Sequence, residues 1–144
     1  METVYIIAIN GLVSATFSFI AYKQSNKKSR NDFLNTQLSK LEEKVSNIRI
    51  ITYKLHADIF DKKLSLDDNM SYRELSIEND DLLNQILAHN EFSSLQNITT
   101  EYNIFSGNMI EATDKETSLA IATEFDNLYL EFKKKINLLK DEIN

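Results

Sequence analysis

Residues Leu34–Ile59, LNTQLSKLEEKVSNIRIITYKLHADI, decide how this chain folds. Leu34, Leu38, Leu41, Val45, Ile48, Thr52, Leu55 and Ile59 recur at alternating steps of four and three. That is a heptad seam interrupted only by Thr52. Ile50, Ile51 and Tyr53 widen the apolar surface toward its far end. A two-stranded coiled coil needs no such widening, whereas a helix covered by several neighbours does. The seam therefore predicts a helix that packs within its own chain, and an all-α fold class.

Downstream, Asp61–Met70 is polar and reads as a loop. Ser71 with Glu74 has the spacing of a capping box and predicts a short extra helix. A second long segment spans Asp80–Ser106, with one apolar stripe on Leu82, Leu83, Ile86 and Leu87. A second stripe follows on Phe92, Leu95, Ile98, Tyr102 and Phe105. The stripes do not join smoothly, which predicts a break near His89–Glu91. Gly107 suits the left-handed position that closes a helix. Thr113 with Glu116 predicts the opening of a last helix that reaches about Asp141. Its seam is Ile121, Phe125, Leu128, Phe132, Ile136, Leu139 and Ile143. Three rods of ~40–45 Å follow at 1.5 Å per residue. Short loops between them imply an antiparallel bundle of about three long helices.

Upstream, Thr3–Tyr22 carries no charged side chain, and Lys23, Lys27, Lys28 and Arg30 follow at once. Twenty helical residues rise ~30 Å, the thickness of a hydrocarbon core. Glu2 at the start and Ser18-Phe19-Ile20-Ala21-Tyr22 at the end lack the basic start and small-residue cleavage site of a secretory signal. The segment reads as a retained single-pass transmembrane helix. With the basic flank after it, the expected topology is N-terminus out and C-terminal domain cytoplasmic, in an inner or plasma membrane. Residues 1–30 are then an anchor with a basic juxtamembrane flank, and residues 31–144 a cytoplasmic helical bundle domain.

Composition supports helices and narrows the chemistry. Proline is absent and glycine occurs only as Gly11 and Gly107, so tight turns have few places to form. The absence of cysteine removes disulfides and thiolate metal sites. The net charge is −6, and from Asn31 onward 12 basic against 21 acidic side chains leave −9. A domain that acidic is a poor match for a phosphate backbone, and no nucleic-acid partner is expected. His56 has Asp58 and Asp61 nearby, but neither it nor His89 stands in a ligand-spaced motif. The adjacent carboxylates Glu42-Glu43 and Asp80-Asp81 point 100° apart on a helix and do not converge. No phosphate-binding glycine loop or nucleophile elbow occurs. The expectation is a non-enzyme with no catalytic, cofactor or metal residues.

Two features remain as candidate sites. Gly11, Ser14, Ser18 and Ala21, with Asn10 beside them, place small residues along one face of the anchor, as close helix pairs in membranes require. This face makes anchor self-association, and through it a homo-oligomer, one candidate role, beside the plain reading that small residues are common in membrane helices. It is out of phase with the downstream seam by one residue, so a continuous zipper would need an adjustment near Ser25-Asn26. Lys23, Lys27, Lys28 and Arg30 set topology and meet lipid head groups. Lys133, Lys134 and Lys135 read as a solvated face at the membrane-distal end, with Glu131 four residues before Lys135. The leading function is a single-pass membrane-tethered helical interaction or adaptor protein that docks a protein partner at the membrane. The alternative is a membrane-perturbing effector of the phage-defence or lysis type, whose anchors associate to permeabilise the bilayer. Either way the chain has the layout of a bacterial or phage accessory protein.

Overall fold

A computed structural model describes the backbone of residues 2–62 and 70–143, with side chains described from Thr16 onward within those ranges. The described residues are helical throughout apart from short connections. Helix α1 spans Glu2–Phe60 and α2 spans Met70–Leu87. A 3-10 segment, Asn90–Leu95, leads into α3 at Gln96–Glu111, and α4 spans Lys115–Ile143.

The bundle therefore has four passes, not three long rods. The segment expected to run from Asp80 to Ser106 is divided at Ala88–His89, where His89 adopts an extended backbone (φ −130°, ψ 117°). That break lies where the two stripes fall out of phase, and an extended residue needs neither glycine nor proline. The capping-box segment at Ser71 is no separate short helix: it is continuous with Leu82–Leu87 in α2. Each half of the expected rod thus becomes a helix of its own, of 18 and 16 residues.

Interhelical contacts fix the directions. Lys44 on α1 meets Glu78 (2.7 Å) and Asp81 (3.5 Å) on α2, while Phe33 meets the His89 ring just past its end (5.7 Å), so α2 runs back along α1. Helix α3 reverses again. Its Tyr102 hydroxyl donates to the Val45 carbonyl (2.9 Å), and Ser106 meets Thr52 one to two turns further along both helices. Steps of three to eleven residues along α1 meet comparable steps back along α4. Asn31 donates to the Ile143 carbonyl, and Glu42 faces Lys133 (3.4 Å). Ser46 then meets Tyr129 (3.0 Å), Arg49 meets Asp126 (2.8 Å) and His56 meets Ser118 (2.6 Å). Helices α1 and α3 form the short diagonal, each touching the other and both flanking helices.

The core follows the two predicted seams. Leu34, Leu38, Leu41, Val45, Ile48, Thr52 and Leu55 are buried, and Ile59 is partly so. Helix α4 contributes Phe125, Phe132 and Ile136, with Leu128, Leu139 and Ile143 at the margin. Tyr102 lies centrally, stacked on Phe125 (4.6 Å between centroids) and edge-on to Phe132 (5.9 Å). Truncating a core residue such as Leu41, fully buried, costs about 2–5 kcal/mol through lost transfer energy and the cavity left.

Two local expectations are corrected. Gly107 does not close a helix: it lies inside α3, which ends at Glu111 with Ala112 extended (φ −65°, ψ 124°), and no described glycine has positive φ. Helix α4 is capped by Asp114, not Thr113, because the Asp114 Oδ1 accepts the Thr117 N–H at 2.8 Å. Helix α1 passes through Ser25-Asn26 without a break, and the seam beyond it packs within its own chain. Among the described residues, the one that does take a left-handed conformation is Lys62 (φ 57°), just past the end of α1.

Among the described residues no helix is long and apolar enough to cross a membrane. The apolar run assigned to the anchor, Thr3–Tyr22, falls mostly on side chains outside the described residues, which begin at Thr16.

Candidate functional site

Among the described side chains, the first contacts of α1 with the bundle are at Arg30 and Asn31. Every residue from Thr16 to Arg30 is exposed, so the fourteen residues Thr16–Ser29, ~21 Å of helix, stand clear of the bundle. A lone helix in water is expected to be polar all round. This one instead exposes Phe17 (69%), Phe19 (64%), Ile20 (46%) and Tyr22 (66%). Soluble surfaces carry single apolar residues freely, but four large ones within six positions mark a contact surface.

Of the residues expected to mediate self-association, Ser18 and Ala21 lie on this projection and are exposed, while Asn10, Gly11 and Ser14 have side chains outside the described residues. The basic flank divides. Lys23, Lys27 and Lys28 are exposed and form no ion pair among the described residues, whereas Arg30 is bonded to Glu91 in the 3-10 segment. That pair, the Asn31–Ile143 bond and the Phe33–His89 ring contact hold the point where the projection leaves the bundle.

The extra pass changes where the last helix ends. Helix α4 climbs back beside α1, so Lys133, Lys134 and Lys135 lie toward the end that bears the projection, not at the far end as a three-rod plan required. Lys133 and Lys140 converge on Glu42, and the Lys140 ammonium, with Lys133 adding, holds that carboxyl below its usual range. Lys135 pairs with Glu131 (3.4 Å). Lys133 and Lys140 therefore link α4 to α1, and Lys135 pairs along its own helix.

The histidines are apart. His56 is buried with Ser118 on its Nε2, and desolvation lowers its pKa, opposed by the Met109 backbone. His89 touches the rings of Phe33 and Phe92. Among the described residues no three His, Asp or Glu side chains converge on a position that could hold a metal. Asp81 belongs to Lys44.

One cluster escaped the sequence reading. The Arg49 guanidinium lies over the rings of Tyr53 (5.3 Å) and Tyr129 (5.0 Å) while bonded to Asp126. Burial, with Asp126 adding, pushes the Tyr53 hydroxyl up to about 12. The Tyr53 hydroxyl donates to the Ala122 carbonyl at 3.2 Å. Cation–π contact and a charge-assisted bond make Arg49 a clip between α1 and α4. The i,i+4 spacing of Arg49 and Tyr53, directly beside the seam, was the available signal.

No known family model, characterised protein or solved structure matches this chain.

Proposed function

We propose that the chain is a single-pass membrane-tethered interaction module, in which the opening of α1 is the transmembrane anchor and the four-helix bundle is a cytoplasmic domain held at the membrane to dock a protein partner. The observation that carries this reading is the exposed stretch Thr16–Arg30. It exposes Phe17, Phe19, Ile20 and Tyr22 and then turns basic without an acidic residue. Apolar residues, an aromatic at the boundary and a following basic flank are the order in which a helix leaves a bilayer on its cytoplasmic side. An unbroken α1 makes the tether rigid, and it keeps the bundle within about 12 Å of the head groups, the rise of the eight residues after Tyr22. A second reading, the membrane-perturbing effector, is favoured by Ser18 and Ala21, two small exposed residues free to meet another anchor.

Expression of the full chain and of a chain starting at Lys23 tests the proposal. The full chain is expected in the membrane pellet and the shortened one in the supernatant, with membrane potential undisturbed by either. A full chain in the supernatant overturns the tether. Collapse of the potential, lost on Gly11→Leu, replaces the adaptor with the effector.

A further inference from the structure

We propose that Lys23 and Lys27, assisted by Lys28, form a collar that binds the head groups of anionic phospholipids. This rests on the membrane-tether reading and says which lipid the tether selects. Lys23 and Lys27 are one turn apart on one face, with Cβ atoms about 6 Å apart, so both ammonium groups reach a single phosphate. They share a shallow open depression with Phe19, Ile20 and Gln24. Its order is apolar then cationic along the helix axis, the order in which a phospholipid presents acyl chain and phosphate. Lys28 lies 100° further round the helix and adds a third cation.

Structure separates this collar from the other basic residue of the flank. Arg30 is committed to Glu91, and none of the three lysines has an acidic partner among the described residues. The charge distribution gives the collar a second consequence. From Thr16 to Arg30 every charged side chain is cationic, while the chain from Asn31 onward carries −9, 12 basic against 21 acidic side chains. An anionic surface attracts the first and repels the second, so the collar is held at the head groups while the bundle stands off. Both effects fall off over a Debye length, about 8 Å at physiological salt.

The test uses the full chain in mild detergent, titrated with phosphatidylglycerol or phosphatidylcholine and read by native mass spectrometry. Each lysine near an anionic head group contributes about a fivefold gain. Retention of phosphatidylglycerol over phosphatidylcholine is expected to exceed tenfold, to fall to parity in K23Q/K27Q/K28Q, and to persist in R30Q. Equal retention of the two lipids by the unaltered chain, or undiminished preference in the triple variant, overturns the collar. If that happens in a chain that pellets with membranes, the tether stands and only its lipid choice is wrong.

Discussion

Thr52 and Ser106 meet hydroxyl to hydroxyl at 2.6 Å on the short diagonal of the bundle, both fully buried. Thr52 donates to the Ile48 carbonyl one turn back, which leaves its oxygen to accept from Ser106. The residue that interrupts the α1 seam is thus half of a polar link that sets α1 against α3. Removing one partner strands the other in a dry core, whereas removing both leaves nothing unsatisfied. Thr52→Val alone is expected to cost about 1–2 kcal/mol, and Thr52→Val with Ser106→Ala markedly less than the two single losses together. A double-mutant cycle in urea checks it, and strict additivity would remove the link.

Gly107 supplies an opposite case. It lies within α3 with ordinary helical φ, and a Cβ built there meets nothing within 4 Å. Gly107→Ala is therefore expected to stabilise the bundle by about 0.5–1 kcal/mol, by reducing the freedom of the unfolded chain. Thermal unfolding distinguishes this from the left-handed helix end expected on sequence grounds, where alanine would destabilise.

Acid should weaken the fold through His56. Burial holds its folded pKa below the unfolded value of 6.5, so the unfolded chain binds the proton more readily. Stability attributable to this residue is complete above pH 6.5 and is lost as pH falls through that value toward the folded pKa. Glu42, depressed by Lys140 and Lys133, contributes a further loss only below its ordinary value of 4.5. Urea midpoints of the native chain are expected to drop between pH 7 and pH 5.5, and those of His56→Gln to change less. An equal drop in both would place the titration elsewhere.

The clip at Arg49 gives a prediction on side-chain identity. Lysine keeps the charge but loses the planar group that lies over Tyr53 and Tyr129 while bonding Asp126. Arg49→Lys is expected to destabilise by about 1 kcal/mol, close to the cost of Arg49→Gln. A lysine variant as stable as the native chain would reduce the clip to simple charge pairing.

Much of this architecture was legible in the residues. The α1 and α4 seams predicted the buried positions because a helix packed on several neighbours must repeat near 3.6, and the break at His89 was visible as a phase slip between two stripes. The pass count was not legible. A helix end made by an extended His89 leaves no glycine or proline behind, and Gly107 advertised an end that α3 does not use. Miscounting one pass reversed α4 and put Lys133 at the wrong end. Long-range partners such as Arg49 with Asp126, or Thr52 with Ser106, depend on rotation about each helix axis, which periodicity alone fixes only to within a residue. The projection was readable as an apolar run with a basic flank. That Arg30 is withdrawn from that flank by Glu91 was not, since the two are sixty-one positions apart.

The membrane reading is tested most directly by cysteine accessibility, for which this cysteine-free chain is well suited. Ser14→Cys lies mid-way along the apolar run and Ser29→Cys within the basic flank. In inside-out membrane vesicles a water-soluble maleimide is expected to label Ser29→Cys rapidly and Ser14→Cys only after the sample is denatured. Equal rapid labelling of both in intact vesicles would show that water, not lipid, surrounds the start of α1, and would contradict the account.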